Sequence, residues 1–185
     1  FPDSTVYRWV HGESDFLPGL VIDRYDEAAV VQSSCAFYRL HRETLAAQLM
    51  EAGALSTVAF TGEPALKVYG EPLCPQEVRF RDVHARVSWG DAQKTGLFLD
   101  QRENWLEIKR FAGEADVLDA YCYHGLWGLH AALAGARSVV GIDSSEAAVT
   151  QACVNAERNG VADRCAYEKG RVEQVLDSGN TFDVI

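Results

Sequence analysis

The chain has no stretch approaching the roughly 20 apolar residues of a membrane-crossing helix. Its opening Phe1-Pro2-Asp3-Ser4 has neither the basic start nor the apolar run of a secretory signal. It also lacks any CxxC pair. Cys35, Cys74, Cys122, Cys153 and Cys165 are odd in number and widely scattered, so neither a zinc site nor a disulfide framework is indicated, no metal is expected, and a reducing, cytoplasmic setting suits the chain. Positive charge is scarce: 17 Lys and Arg against 27 Asp and Glu leave a net charge of -10, which on average repels phosphate backbones. There is no internal repeat and no low-complexity tract.

What is present is a real core, with 48% apolar residues in 185. Up to residue 90 the pattern predicts a small α+β domain. Runs at 6–10, 20–25 and 28–32 read as strands, the last two joined through an Asp26-Glu27 turn suited to a hairpin. Residues 39–50 fit a helix with Leu40, Leu45 and Leu49 on one apolar face and Gly53 as a stop, and strands follow at 56–60, 67–69, 78–80 and 84–89.

From residue 91 to 185 helices and strands alternate, the signature of half of a doubly wound sheet. A helix is expected over 101–111 with Trp105 and Ile108 on one face, then a strand at Val117 and a helix over 126–133 closed by Gly135. A second strand ends on Asp143. The next helix, capped by Ser144 or Ser145, carries Val149, Ala152, Cys153 and Ala156 as a stripe and stops at Asn159-Gly160; a strand at 165–167, a short helix at 172–176 and a strand at 182–185 complete the order. The chain does not begin with Met and ends inside a strand-like run, so a piece of a longer protein is expected.

The unit from Val117 to Asp143 states a chemistry. Apolar strands flank a glycine turn, letting backbone approach a nucleoside at the helix start, and Asp143 closes the second strand where its carboxylate can accept both ribose hydroxyl protons. A dinucleotide loop wants G-x-G-x-x-G, but Tyr123 stands at the first position and only Gly125-x-x-Gly128 remains. S-adenosylmethionine carries no phosphate and tolerates a looser loop, and Asp119 can meet its cationic amino-acid end. A nicotinamide-dependent oxidoreductase and a turn without ligand are the alternatives. Cys122 reads as a small packing residue, His124 as a polar edge of the loop, and Trp105 and Trp127 as packing aromatics.

Two segments carry a family resemblance. Gln93-Lys94-Thr95-Gly96-Leu97-Phe98-Leu99-Asp100-Gln101-Arg102-Glu103-Asn104 and Leu17-Pro18-Gly19-Leu20-Val21-Ile22-Asp23-Arg24-Tyr25 resemble the bacterial large-subunit rRNA cytosine-C5 methyltransferases and their close relatives. The resemblance implies an RNA-binding PUA domain, a middle module like residues 1–90, and a class I methyltransferase domain with a Rossmann-like sheet, of which 91–185 is the first half. It implies cofactor roles for Asp119, Tyr123, Gly125 and Gly128 in the loop, for Asp143 with Ser144 at the ribose, and for Thr95, Phe98 and Gln101 as a lid or flank. The plain account of 95–102 is a helix entrance with Phe98 and Leu99 in the core and Arg102 paired to a carboxylate. The chain departs from the family in having His124, Leu126 and Trp127 around Gly125, and Arg171 where the family offers an Asp to the adenine; an Arg cannot accept that hydrogen bond.

The family's reaction adds a cysteine thiolate to C6 of the base, making C5 nucleophilic, with help from an acidic residue of an Asp-Pro-Pro motif. Both groups are expected beyond Ile185. The implied partner is large-subunit rRNA, held partly by regions outside this chain; a homodimer is left open, and a non-catalytic cofactor- or RNA-binding module is the alternative.

Overall fold

The computed structural model describes residues 4–62, 66–89 and 95–185. Gln93 and Lys94, and the boundary expected between 90 and 91, lie outside them. The chain divides into two compact units, one of residues 1–82 with 87–100 and one of residues 83–86 with 101–185.

The first unit holds β1 (Val6–His11), β2 (Leu20–Tyr25), β3 (Ala28–Ser33), α1 (Ala36–Leu40), α2 (Arg42–Gly53), β4 (Thr57–Thr61), β5 (Lys67–Gly70) and β6 (Gln76–Phe80). Its five-stranded sheet runs β1-β2-β3-β4-β5. The expected hairpin joins β2 to β3, with Asp26 at φ 52° in its turn, whereas β3 and β4 are parallel, so the two helices form the crossover that parallel strands require. Leu20, Ile22, Ala29 and Val31 of the sheet pack with Ala46 and Leu49 of α2 and with Val58 and Phe60 of β4.

The single helix expected over 39–50 is two. The chain breaks at His41 (φ -105°, ψ 20°), and α2 restarts with its own phase. Leu49 is buried, but Leu40, assigned to the same apolar face, is 82% exposed. Periodicity fails there because the break rotates Leu40 away from the face that α2 buries.

The second unit contains most of β7 (Val83–Val87), then α3 (Asn104–Glu107), β8 (Asp116–Ala120), α4 (Leu126–Leu133), β9 (Ser138–Asp143), α5 (Glu146–Arg158), β10 (Cys165–Lys169) and α6 (Val172–Asp177). The strands are parallel in the order β10-β9-β8, and Val184 makes an isolated parallel bridge to Val117 on the far side of β8. The expected strand at 182–185 is this bridge alone, anchored by the Leu118 N–H donating to the Val184 carbonyl at 2.9 Å. The helix expected over 101–111 is α3 between two 3-10 turns, Leu99–Gln101 and Ile108–Arg110; Trp105 is buried, while Phe111 is 62% exposed.

Candidate functional site

The α4 bounds match the expectation from sequence, and its start fixes the loop before it. Gly125 is the N-terminal flanking residue of α4 at φ 73°, left-handed backbone that suits glycine. A second reason for the loop's glycines is internal. A Cβ on Gly125 would lie 2.7 Å from the Tyr167 ring and one on Gly128 2.9 Å from its hydroxyl, while one on Gly141 would overlap the same ring. Tyr167 of β10 thus fills a slot cut by three glycines. Its hydroxyl donates to the Gly125 carbonyl at 3.1 Å.

The neighbouring carbonyl is held as well. Asn155 of α5, 1% exposed, donates through Nδ2 to the His124 carbonyl at 3.0 Å, and its Oδ1 accepts the Arg86 N–H of β7 at 2.9 Å. One turn on, Asn159 accepts the His84 N–H at 2.9 Å and donates to the His84 carbonyl at 2.6 Å. Two successive loop carbonyls are therefore pinned from below by side chains of two elements. Sequence reading missed both Tyr167 and Asn155. A signal existed for Asn155, a polar residue three positions from Ala152 and one from Ala156 on the buried stripe of an amphipathic helix; none existed for Tyr167.

Asp143 ends β9 with its carboxylate already aimed. Oδ2 accepts the Tyr123 N–H at 2.9 Å and Oδ1 the Ser145 N–H at 2.8 Å. Each oxygen keeps a lone pair for a further donor. Tyr123 adopts φ 49°, which turns its amide toward that carboxylate, and its ring stacks on His124 with centroids 3.7 Å apart. Ser145, not Ser144, caps α5 by accepting the Ala148 N–H at 3.3 Å, and Ser144 is exposed.

Asp119 ends β8, 6% exposed, with Oδ2 accepting the Gly128 N–H at 2.8 Å. Burial pushes its carboxyl up to about 6, against the Gly128 hydrogen bond that lowers it; the nearby Asp143 charge adds to the rise. It lines a cavity of about 250 Å³ with Gly128, Trp127, Ile108, Val117, Leu118, Ala120, Val184 and Ile185. In that apolar wall it is the lone acid, and its other oxygen accepts no hydrogen bond among the described residues. Asp143, Tyr123 and Gly125 do not line this cavity.

Two side chains that invite catalytic readings are inert here. Burial pushes the Cys122 thiol well above its usual range, with Asp119 and Asp143 adding to the rise, so no thiolate forms. His124 is 6% exposed, and burial brings its imidazole down to about 4 despite the Asp143 charge; it is neutral at pH 7. Arg171 flanks the start of α6, and its exposed guanidinium sits 3.5 Å from Glu173. That direction leaves the position free of a buried cation.

The remaining candidates fall elsewhere. Thr95 and Phe98 belong to the first unit, and Gln101 opens the second, where its side chain accepts from Asn104 at 3.1 Å. The Thr95 hydroxyl donates to the buried Asp23 carboxylate, which also receives Arg8 at 2.9 and 3.1 Å. The Thr95 carbonyl accepts Trp89 Nε1 at 3.0 Å, and the Leu97 N–H donates to the Tyr25 hydroxyl at 2.9 Å. Leu99 is buried and Arg102 pairs with Glu103 at 3.1 Å, as the plain account of this segment expects, but Phe98, which that account places in the core, is only half-buried.

A strand, glycine loop, helix and acid-tipped second strand in a parallel β10-β9-β8 sheet is the geometry of a nucleoside-binding α/β unit. Residues 117–185 match the family model described as a methyltransferase domain. The chain is 36% identical to the ribosomal RNA large subunit methyltransferase I of Shewanella amazonensis and 32% identical to that of Tolumonas auensis, in each case over 98% of this chain and 50% of the relative. Among solved structures, SMU.776, complexed with SAH, superposes with a TM-score of 0.87 at 20% identity, over 98% of this chain and 51% of that one. Residues 117–185 are a methyltransferase domain by that match, and the chain has the fold of the class I methyltransferases. The chain spans about half the length of the curated relatives it matches. Among its described residues no helix is long and apolar enough to cross a membrane.

Proposed function

We propose that this chain is the middle module and the cofactor-binding half of an RNA methyltransferase that takes its methyl group from S-adenosylmethionine and acts on a cytosine C5 of large-subunit rRNA. The observation that carries the cofactor assignment is the Asp143 carboxylate, held by two backbone amides at the tip of the second strand with one lone pair per oxygen to spare. That acceptor arrangement fits a pair of ribose hydroxyls, which donate to it. The lone acid in the apolar cavity, Asp119, fits a cationic amino group and carries the second end of the same molecule. When bound, the cofactor would supply an electrophilic methyl group on a sulfonium.

This chain's own residues bind and orient. Asp143 takes the sugar, Asp119 the amino-acid end, and the loop from Tyr123 to Gly128 sets the spacing between them, with Tyr167 and Asn155 fixing the loop from beneath. Cys122 stays a thiol and so is no nucleophile, and His124, buried and lowered to about 4, is too weak and too enclosed to serve as base. The rRNA substrate rests on the relatives named above and the cytosine C5 position on the resemblance of the two signature segments. The chain on its own binds S-adenosylhomocysteine.

Calorimetric titration of the chain with S-adenosylhomocysteine and with NAD tests the first part. Micromolar binding of the former and none of the latter is expected, and the reverse would overturn it. Labelled methyl transfer by the full-length protein to large-subunit rRNA, mapped to the modified base, tests the second; label on a base other than cytosine would overturn the C5 assignment.

A further inference from the structure

The α1–α2 junction in the first unit is built unlike the rest of that unit. None of the five residues of α1 is buried, although Tyr38 packs part of its ring against the core. Phe37 is 60% and Leu40 82% exposed. The Phe37 ring lies against His41 with centroids 4.6 Å apart and a 45° tilt, and meets Tyr38 edge-on at 5.5 Å. A pair of ring faces, i and i+4 on one side of a turn, is thus turned to the outside.

Charge in the same segment adds to this. Several cations elsewhere are drawn to carboxylates, Lys67 to Glu43, Arg102 to Glu103, Arg110 to Glu107, Arg137 to Asp116 and Lys169 to Glu146. Arg39 and Arg42 have no carboxylate in ion-pair reach among the described residues, and Glu43 beside them is drawn to Lys67 at 3.8 Å. On a chain of net charge -10, two unmatched guanidinium groups next to an open aromatic pair form a local site of the opposite sign. Apolar burial alone would not require them, whereas a single strand of nucleic acid uses both: bases stack on ring faces and phosphates meet cations.

We infer that the α1–α2 junction is a contact for single-stranded RNA, in which a base stacks on Phe37 and His41 while Arg39 and Arg42 meet the flanking phosphates. This rests on the proposed RNA substrate and deepens it by naming where the first unit touches that substrate.

The test uses the full-length protein and fluorescein-labelled oligouridine and oligoadenine 12-mers, read by anisotropy over a range of salt. Phe37→Ala, at an exposed position, is expected to weaken binding of both probes roughly ten-fold at fixed salt, since stacking on one aromatic contributes on the order of that factor. Arg39→Gln with Arg42→Gln is expected to flatten the slope of log affinity against log salt by about 1.4, two phosphates at roughly 0.7 each. S-adenosylhomocysteine affinity stays unchanged in all variants. Wild-type RNA affinity retained by both variants would overturn the inference while leaving the RNA substrate standing. Loss of a wild-type dimer in Phe37→Ala, with RNA binding intact, would overturn it in favour of a contact between two copies. Absence of RNA binding by the wild-type protein would remove the RNA reading itself.

Discussion

The Tyr167 hydroxyl donates to the Gly125 carbonyl at 3.1 Å, across 42 residues of sequence, from the third parallel strand into the loop that starts α4. Because Gly125, Gly128 and Gly141 surround the same ring, the glycines of the loop serve the tyrosine beneath it before they serve any ligand above it. Burial raises the Tyr167 phenol far above its usual range, so the hydroxyl stays a donor at all working pH values.

Gly141→Ala places a methyl group into the Tyr167 ring, which cannot slide while its hydroxyl is anchored. The expected cost is at least about 2 kcal/mol of unfolding free energy, measured by urea denaturation. A second substitution, Tyr167→Val, should recover part of it, because the pair shares one slot. Tyr167→Phe alone should cost only about 1 kcal/mol, since the Gly125 carbonyl keeps its helical bond from Leu129 at 2.8 Å.

Asp119 and His124 give opposite pH dependences in one window. The Asp119 carboxyl is raised from 3.8 to about 6, so the folded state binds the proton more tightly and stability falls as pH rises through that range. The His124 imidazole is lowered from 6.5 to about 4, so stability falls as pH drops through that range. The two offset each other in the wild type. Asp119→Asn should therefore stabilise the chain by up to about 3 kcal/mol at pH 7, leave it unchanged below pH 4, and expose the loss on acidification due to His124. Thermal melts from pH 4 to 7 check this, and a wild-type stability that varied steeply with pH while Asp119→Asn did not would contradict it.

The same substitution should weaken cofactor binding. A cationic amino group binds the ionised Asp119, so S-adenosylhomocysteine affinity in the wild type should be full above pH 6 and decline as pH falls below it. Titrations at pH 5 and pH 7 measure the difference; equal affinities would separate Asp119 from the ligand.

Asp143→Ala removes the acceptor for Tyr123 and Ser145 amides and, in the proposed complex, for the ribose. Binding of S-adenosylhomocysteine should weaken by about 1.5 to 3 kcal/mol, the range of a charged hydrogen bond. Binding unchanged in a calorimeter would remove the ribose role.

In the first unit, Asp23→Ala leaves the Arg8 guanidinium, whose side chain is 14% exposed, without its buried partner. A cost of about 3 to 5 kcal/mol is expected from denaturant midpoints. Thr95→Val should cost less, about 1.5 to 3 kcal/mol, because it removes one hydrogen bond to the charged group and leaves the ion pair in place.

The second unit was more legible than the first. Alternation of apolar runs and glycine stops located β8, α4, β9 and α5, because each is an element whose own pattern decides it. The acids at the strand tips, Asp119 and Asp143, followed from the same pattern. What periodicity could not carry were breaks and distant partners. Nothing local distinguishes His41 as the point where one helix becomes two, and 101–111 has helical spacing without enough regular backbone to hold a continuous helix. The glycine spacing of 125 and 128 is readable, but the ring that explains it comes from residue 167, and the hydroxyl at 95 is explained only by a carboxylate at 23.

That last pairing changes how the two signature stretches are to be counted. Residues around 17–25 and 95–104 look like independent hallmarks along the chain, yet Asp23 with Thr95 and Tyr25 with Leu97 make them two halves of one lock. A substitution in either half is felt by the other, so the stretches should drift together across descendants. Resemblance at both places is one piece of testimony about ancestry, given twice.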